Sequence, residues 1–114
     1  MGKTYWYTTE SGRSPVEEEI NGFPVPDQAK VYAYIAMLEK VGCRLGVPFV
    51  KPIDGKLKEL RIPIVPGQYR VFFFFHKGED FYLLHGFLKK TQKTPPKEIE
   101  TAKRRMKHIT GGKS

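Results

Sequence analysis

The residues of this chain best suited to handling an anion lie in its second half. Glu59 and Arg61 alternate with Leu60, Ile62 and Ile64 in LKELRIPI, so on an extended chain the ionic pair shares the face opposite the apolar residues. Arg70 is the sole ionised residue between Tyr69 and Phe75, and a buried strand accommodates a lone arginine only when it is paired or opens into a cleft. His85, Phe87 and Lys89 share one parity of DFYLLHGFLKK, and Lys90, Gln92 and Lys93 follow where that run frays into a loop; Lys58 flanks Glu59. A guanidinium meets two oxygens of a phosphate at once and stays charged. Imidazole changes charge near neutrality, so this combination suits binding and proton transfer at an oxyanion.

These residues need a sheet to bring them together. Tyr69 to Phe75 is almost continuously apolar, which fits a central strand packed on both faces. Pro66-Gly67 and Lys77-Gly78 are turn dipeptides on either side of it, so the pattern predicts an antiparallel β-meander of three strands from Leu57 to Lys90. Upstream, Thr4 to Thr9 reads as a short strand. Ser14-Pro-Val-Glu17 is a capping-box pattern that opens a helix to Asn21, stopped at Gly22. A longer helix runs from Pro26-Asp27 to Val41, with Val31, Tyr34, Ile35 and Leu38 on one stripe and Gly42 as its terminator. Cys43 to Asp54 contains two prolines and reads as loop. After Thr94-Pro95 a helix carries Ile99, Ala102, Met106 and Ile109 on one side; its basic last turns complement the helix dipole, and residues 110–114 read as a frayed tail. The order β-α-α-β-β-β-α is α+β, with helices expected on one face of the sheet and the Glu59/Arg61/Arg70 face left for a ligand.

A chain of 114 residues suits one domain, residues 1–114. No run of apolar residues is long enough to span a bilayer and no secretory h-region opens the chain, so a soluble, cytoplasmic protein is expected. Cys43 is the single cysteine and no Cys/His set has zinc-ligand spacing, so neither metal nor cofactor is expected. Charge is unevenly spread: residues 1–55 carry 6 Lys/Arg against 7 Asp/Glu, and residues 56–114 carry 14 against 5. Such asymmetry points to an anionic partner, nucleic acid or an acidic protein segment, with a basic solubility surface as the plain alternative.

The run LKELRI, then YRVFFF, then DFYLLHGFLKKTQKTPPKEIETAKRRM resembles the phage-derived HigB-like branch of the RelE/ParE toxin superfamily over about residues 14–109, most specifically in GFLKKTQKTP. The resemblance implies a RelE-like domain: a β-meander under two N-terminal helices, with a short N-terminal strand and a C-terminal helix. It implies a type II toxin with a cognate antitoxin of the helix-turn-helix, HigA-like kind, and a metal-independent endoribonuclease that cuts mRNA on the translating ribosome. RNA cleavage of that kind uses the 2′-OH as nucleophile, with a base, an acid and cations for the phosphorane.

On this reading Arg70, from the YRV motif, and Arg61, from the ELR motif, stabilise the phosphate. Glu59 orients Arg61 or acts as a weak base. His85, Lys89 and Lys90 are candidates for proton transfer, the lysines only if crowding by Arg61 and Arg70 lowers a pKa; otherwise they bind phosphate. Lys58, Glu59, Phe87, Gln92 and Lys93 complete the RNA-binding set, Phe87 by stacking on a base or else by core packing. The C-terminal tyrosine of RelE-type enzymes has no counterpart, since the last tyrosine is Tyr82. A ParE-like gyrase inhibitor and a non-catalytic RNA-binding module are the competing readings; convergent cations argue against a surface that docks protein alone.

Overall fold

The structure is a computed structural model that describes residues 1–65, 67–89 and 93–111. Its elements are strand β1 (Thr4–Trp6), helices α1 (Pro15–Asn21) and α2 (Val25–Val41), strands β2 (Val50–Asp54), β3 (Leu57–Ile64), β4 (Gly67–Lys77) and β5 (Asp80–Lys89), and helix α3 (Pro96–Thr110). The sheet order is β1-β5-β4-β3-β2. The expected meander β3-β4-β5 is antiparallel, whereas β1 runs parallel to β5, so the sheet as a whole is mixed.

β4 dictates the layering. Tyr69, Val71 and Phe73 point to one face and pack with Val16 and Ile20 of α1 and Val31, Ile35 and Leu38 of α2. Phe72 and Phe74 point to the other, where Leu57, Leu84, Phe87 and Ala102 join them and Ile99, Met106 and Ile109 lean on the cluster. Helices therefore cover both faces, and the expectation that all of them would lie on one face is corrected. The reason is energetic. Leaving rings such as Phe72 and Phe74 in water would forfeit roughly 1.5–3 kcal/mol each, a large share of a small domain's stability. α3 covers this face over the aromatic rings, the face on which Glu59, Arg61 and Arg70 also lie.

The segment read as loop contains a strand. β2 pairs antiparallel with β3 at the margin of the sheet, and Pro52 sits opposite Lys58. An edge strand tolerates proline because one side of its ladder needs no N–H donor, so Pro52, which argued against a strand, sits where a strand can hold it, while Pro48 lies before β2. β1 is shorter than read. It ends at Trp6, after which the Thr8 hydroxyl donates to the Trp6 carbonyl (3.1 Å) and the Thr9 N–H to the Arg13 carbonyl (2.8 Å), turning the chain out of the ladder. α1 begins at Pro15 as expected, but the Ser14 hydroxyl makes no capping bond. At the far end Thr110 is still helical and Gly111 closes α3 in the left-handed conformation; Gly112 to Ser114, and Pro66 of the expected turn, lie outside the described residues.

Close approaches explain two glycines. Gly42 ends α2 at φ 71°, and a side chain there would collide with the Glu79 carboxylate, which accepts the Cys43 N–H at 3.0 Å. Gly86 lies under Tyr69, and a methyl group on it would run into the Tyr69 hydroxyl and approach Glu19 Oε1 to 2.9 Å. Those are the atoms of a 2.6 Å hydrogen bond that ties β4 to α1. Replacing Gly86 with alanine is therefore expected to destabilise the protein by about 1–3 kcal/mol through overpacking. Urea unfolding followed by circular dichroism checks this, and an unchanged midpoint would show that α1 can move aside.

Candidate functional site

The register of the meander assembles the cluster. Arg61 lies directly opposite Arg70, Gln68 opposite Lys89 and Arg70 opposite Phe87, all on the α3 face. Two guanidiniums side by side need a counter-charge, and Glu59 supplies it. Its Oε1 accepts from an Arg70 terminal nitrogen, and Arg61 Nε stands 3.9 Å from the same oxygen. Arg70 Nε also donates to Gln68 Oε1 at 2.7 Å, and a second terminal nitrogen reaches that oxygen too. Arg70 is thus committed to protein partners, with a side chain only 6% exposed beside a Glu59 side chain 1% exposed. Arg61 differs: its side chain is 28% exposed and its Nε makes no hydrogen bond. Of the two arginines, Arg61 is the one able to turn its fork toward a ligand.

Lys89 lies buried at the end of β5. Its Nζ donates to Thr94 Oγ1 at 3.2 Å, and the Thr94 hydroxyl donates in turn to Glu59 Oε2 at 3.5 Å. Burial, above all, lowers the Lys89 pKa; the Arg70 charge lowers it further, with smaller pushes from Lys51 and Arg61 against the pull of Glu59. The direction is the one expected from sequence, though desolvation outweighs the crowding by cations. Thr94 and Gln68 are members that sequence reasoning passed over. Gln68 was findable, standing two residues from Arg70 on the same strand parity; Thr94 carried only a helix-start signal.

A second polar group lies further along the same face. His85 Nε2 is 2.7 Å from Glu98 Oε1, and His85 Nδ1 is 3.4 Å from an Arg105 nitrogen that donates to the Leu84 carbonyl at 2.9 Å. Glu19, with Tyr69 on its Oε1, faces them across a cleft of about 150 Å³ at the β5 edge, and burial of that carboxylate raises its pKa. The stacked rings of Phe72 and Phe87 stand between His85 and the Arg70 cluster. Along the strand His85 and Lys89 are four residues apart, about 13 Å of extended chain, with Phe87 between them and each held by its own partner, Glu98 and Thr94. Phe87 is 7% exposed and belongs to the core cluster. Lys58 alternates onto the opposite face, where its charge is felt by Cys43. Lys93 is exposed, and Lys90 and Gln92 lie outside the described residues.

Residues 18–107 match the phage-derived Gp49-like protein family (DUF891). This chain belongs to that family. The Gp49-like chain is also 33% identical, over 103 residues, to "Probable endoribonuclease HigB1" of Mycobacterium tuberculosis strain CDC 1551 / Oshkosh, covering 90% of this chain and 80% of the relative. The same figures hold for the protein of that name from strain ATCC 25618 / H37Rv. The HigB-like resemblance read from the ELR, YRV and GFLKKTQKTP segments therefore holds over nearly the whole Gp49-like chain.

Among the described residues of this Gp49-like protein, no three His, Cys, Asp or Glu side chains gather as a metal site would require, and no helix is long and apolar enough to cross a membrane. The cluster offers fixed cations and a lysine with a lowered pKa. A lysine whose folded pKa is depressed holds its proton less tightly in the native than in the unfolded state. The native state is therefore penalised at neutral pH and recovers as pH rises from the lowered pKa toward the unfolded value near 10.5. Stability measured in urea for Lys89→Met should gain on the wild type most at pH 7 and least near pH 10; a difference that does not vary with pH would mean that Lys89 titrates normally.

Proposed function

We propose that this Gp49-like protein is the toxin of a type II toxin–antitoxin pair and an endoribonuclease that cuts mRNA on the translating ribosome without a metal ion. The observation that carries the reading is the placing of Lys89: buried, lowered in pKa, and held by Thr94 beside Arg61 and Arg70. In its neutral form Lys89 can take the 2′-OH proton as that oxygen attacks the adjacent phosphate; the P–O5′ bond breaks as the 2′-O–P bond forms, and the departing 5′-oxygen takes a proton from the lysinium so formed or from water. Arg61, whose fork is not consumed by internal hydrogen bonds, meets the charge that builds on the phosphorane. Arg70 and Gln68 hold Glu59 in place, and Glu59 acts through Thr94 on the position of Lys89. Arg70 serves the phosphate at one remove. Lys90 and Gln92 follow Lys89 in the chain and, with Lys93, are assigned to the RNA backbone.

His85 takes a different part in this scheme. We assign it to fixing α3 against β5, which keeps Phe87 and the site behind it in place, a reading supported by its bonds to Glu98 and Arg105 and by its separation from Lys89. The relatives bear the name of an endoribonuclease, and their similarity supports the same activity here. The partner is proposed to be an antitoxin of the HigA-like helix-turn-helix kind, whose acidic surface complements the basic half of the chain.

The test uses purified protein and programmed ribosomes whose mRNA carries a single 2′-deoxy nucleotide at the scissile position. Cleavage is expected on the all-ribose message, with a 2′,3′-cyclic phosphate or 3′-phosphate on the upstream fragment, and is expected to vanish on the 2′-deoxy message. Undiminished cutting of the latter would replace the 2′-OH with a hydrolytic water. Arg61→Ala is expected to slow cleavage on the order of a hundredfold while the protein stays folded. A variant as active as the wild type would remove Arg61 from the chemistry.

A further inference from the structure

The C-terminal half of α3 carries features that the cleavage cluster does not use. On one side of the helix lies a groove of about 500 Å³ with an apolar floor, Phe74 and Met106, and a cationic rim, Lys56, Lys103, Arg104 and Lys107. On the other side a shallow groove of about 580 Å³ is walled by Tyr7, Glu10, Arg105 and His108, Glu10 being its one carboxylate, and it shares Arg104 and Lys107 with the first. Arg104 and Lys107 therefore form a crest between two grooves, each holding ring or apolar surface. Lys103 is paired with Asp54, and Arg105 lies over the Tyr7 ring at 4.9 Å. Among the described residues, Lys56, Arg104 and Lys107 have no carboxylate within ion-pair distance. The helix dipole accounts for cations in the last turn only, hence for Lys107 and His108 but not for Arg104.

We infer that this crest is a second nucleic-acid contact, remote from the cleavage cluster, over which a single strand of RNA passes. Its phosphates lie on Arg104 and Lys107, and a base enters the groove floored by Met106 and Phe74. The inference rests on the RNA reading above and extends it to a surface that positions the strand. A polymer with a charge at every unit and a planar base beside it fits a cationic ridge flanked by apolar and aromatic hollows. An acidic amphipathic helix would instead need one continuous apolar stripe, and here the ridge interrupts it.

The probe is a fluorescein-labelled 2′-O-methyl oligouridine of about ten nucleotides, which cannot be cut by 2′-OH attack, with binding read by anisotropy across a salt series. The exposed double variant Arg104→Glu/Lys107→Glu is compared with Lys30→Glu/Lys40→Glu, which makes the same change in net charge on α2. The first pair is expected to weaken binding at least tenfold and to flatten the slope of log K against log salt by about 1.4, two single-strand phosphates' worth. The second pair is expected to change affinity less than twofold. Equal losses in the two variants would mean that only bulk charge matters and would overturn the proposal, as would wild-type affinity in the first. Tighter binding of a Leu/Glu amphipathic peptide than of the oligouridine, lost in the same double variant, would make the surface a protein-docking one and also overturn it. Oligouridine binding through Arg104 and Lys107 alongside intact ribosomal mRNA would sink the nuclease reading and leave this one standing. Urea unfolding of both variants verifies that the fold is retained.

Discussion

The burial of β4 on both faces is the constraint from which the rest of this molecule follows. A strand that sends Tyr69, Val71 and Phe73 one way and Phe72 and Phe74 the other cannot sit on the surface of a two-layer domain. It needs a strand on each side and a helix layer above and below, and β3, β5, α1 with α2, and α3 meet those needs in turn. Arg70 is the exception in this apolar strand, and its presence commits the neighbourhood to a polar solution. Glu59 is drawn under cover with it, Gln68 accepts from two more of its nitrogens, and Arg61 is left close to a carboxylate already engaged. One buried ion pair thus sets the orientation of the residues around it. Removing a single member of such a pair usually costs 3–5 kcal/mol, roughly the scale of a small domain's margin.

For the cleavage proposed above, such a setting would serve a chemical purpose. A lysine in water is protonated at neutral pH and makes a poor base; one withdrawn from solvent beside a guanidinium is closer to neutrality. The fold supplies both influences on Lys89 by ending β5 beneath the segment that carries Thr94. The same surroundings that lower the Lys89 pKa make it a burden on the native state, the cost in stability that the proposed base role would exploit.

Much of this was legible beforehand because it rests on alternation. The shared face of Glu59 and Arg61, the isolation of Arg70, and the common parity of His85, Phe87 and Lys89 are properties of strands, and the strands themselves were announced by aromatic and β-branched runs between turn dipeptides. What escaped depended on geometry between elements. β2 was hidden because Pro52 is unfavourable in a central strand and harmless at an edge, and nothing local says which strand will be an edge. α3 was recognised as a helix, yet its docking on the Arg70 face followed from the need to cover Phe72 and Phe74 and not from its own pattern. The distance between His85 and Lys89 was implicit in the numbering but acquired meaning only once the Phe72 and Phe87 rings were seen to stand between them. Glu98 and Arg105, which hold His85, come from a helix that sequence alone left unattached to the strand.

The pairing of β1 has a kinetic side. Residues Thr4 to Trp6 lie against Phe81 to Leu83, so the strand that begins the sheet finds its neighbour only after nearly all the other strands exist. Closing a loop of that length is paid in chain entropy before any contact returns it, and topologies rich in such distant pairings form slowly. On a ribosome, α1, α2 and the β2-β3 hairpin emerge before β5 is there to receive β1, and α3 follows later still. The face bearing Arg61 and Lys89 therefore closes only once β5 and α3 have both followed β1 out of the ribosome.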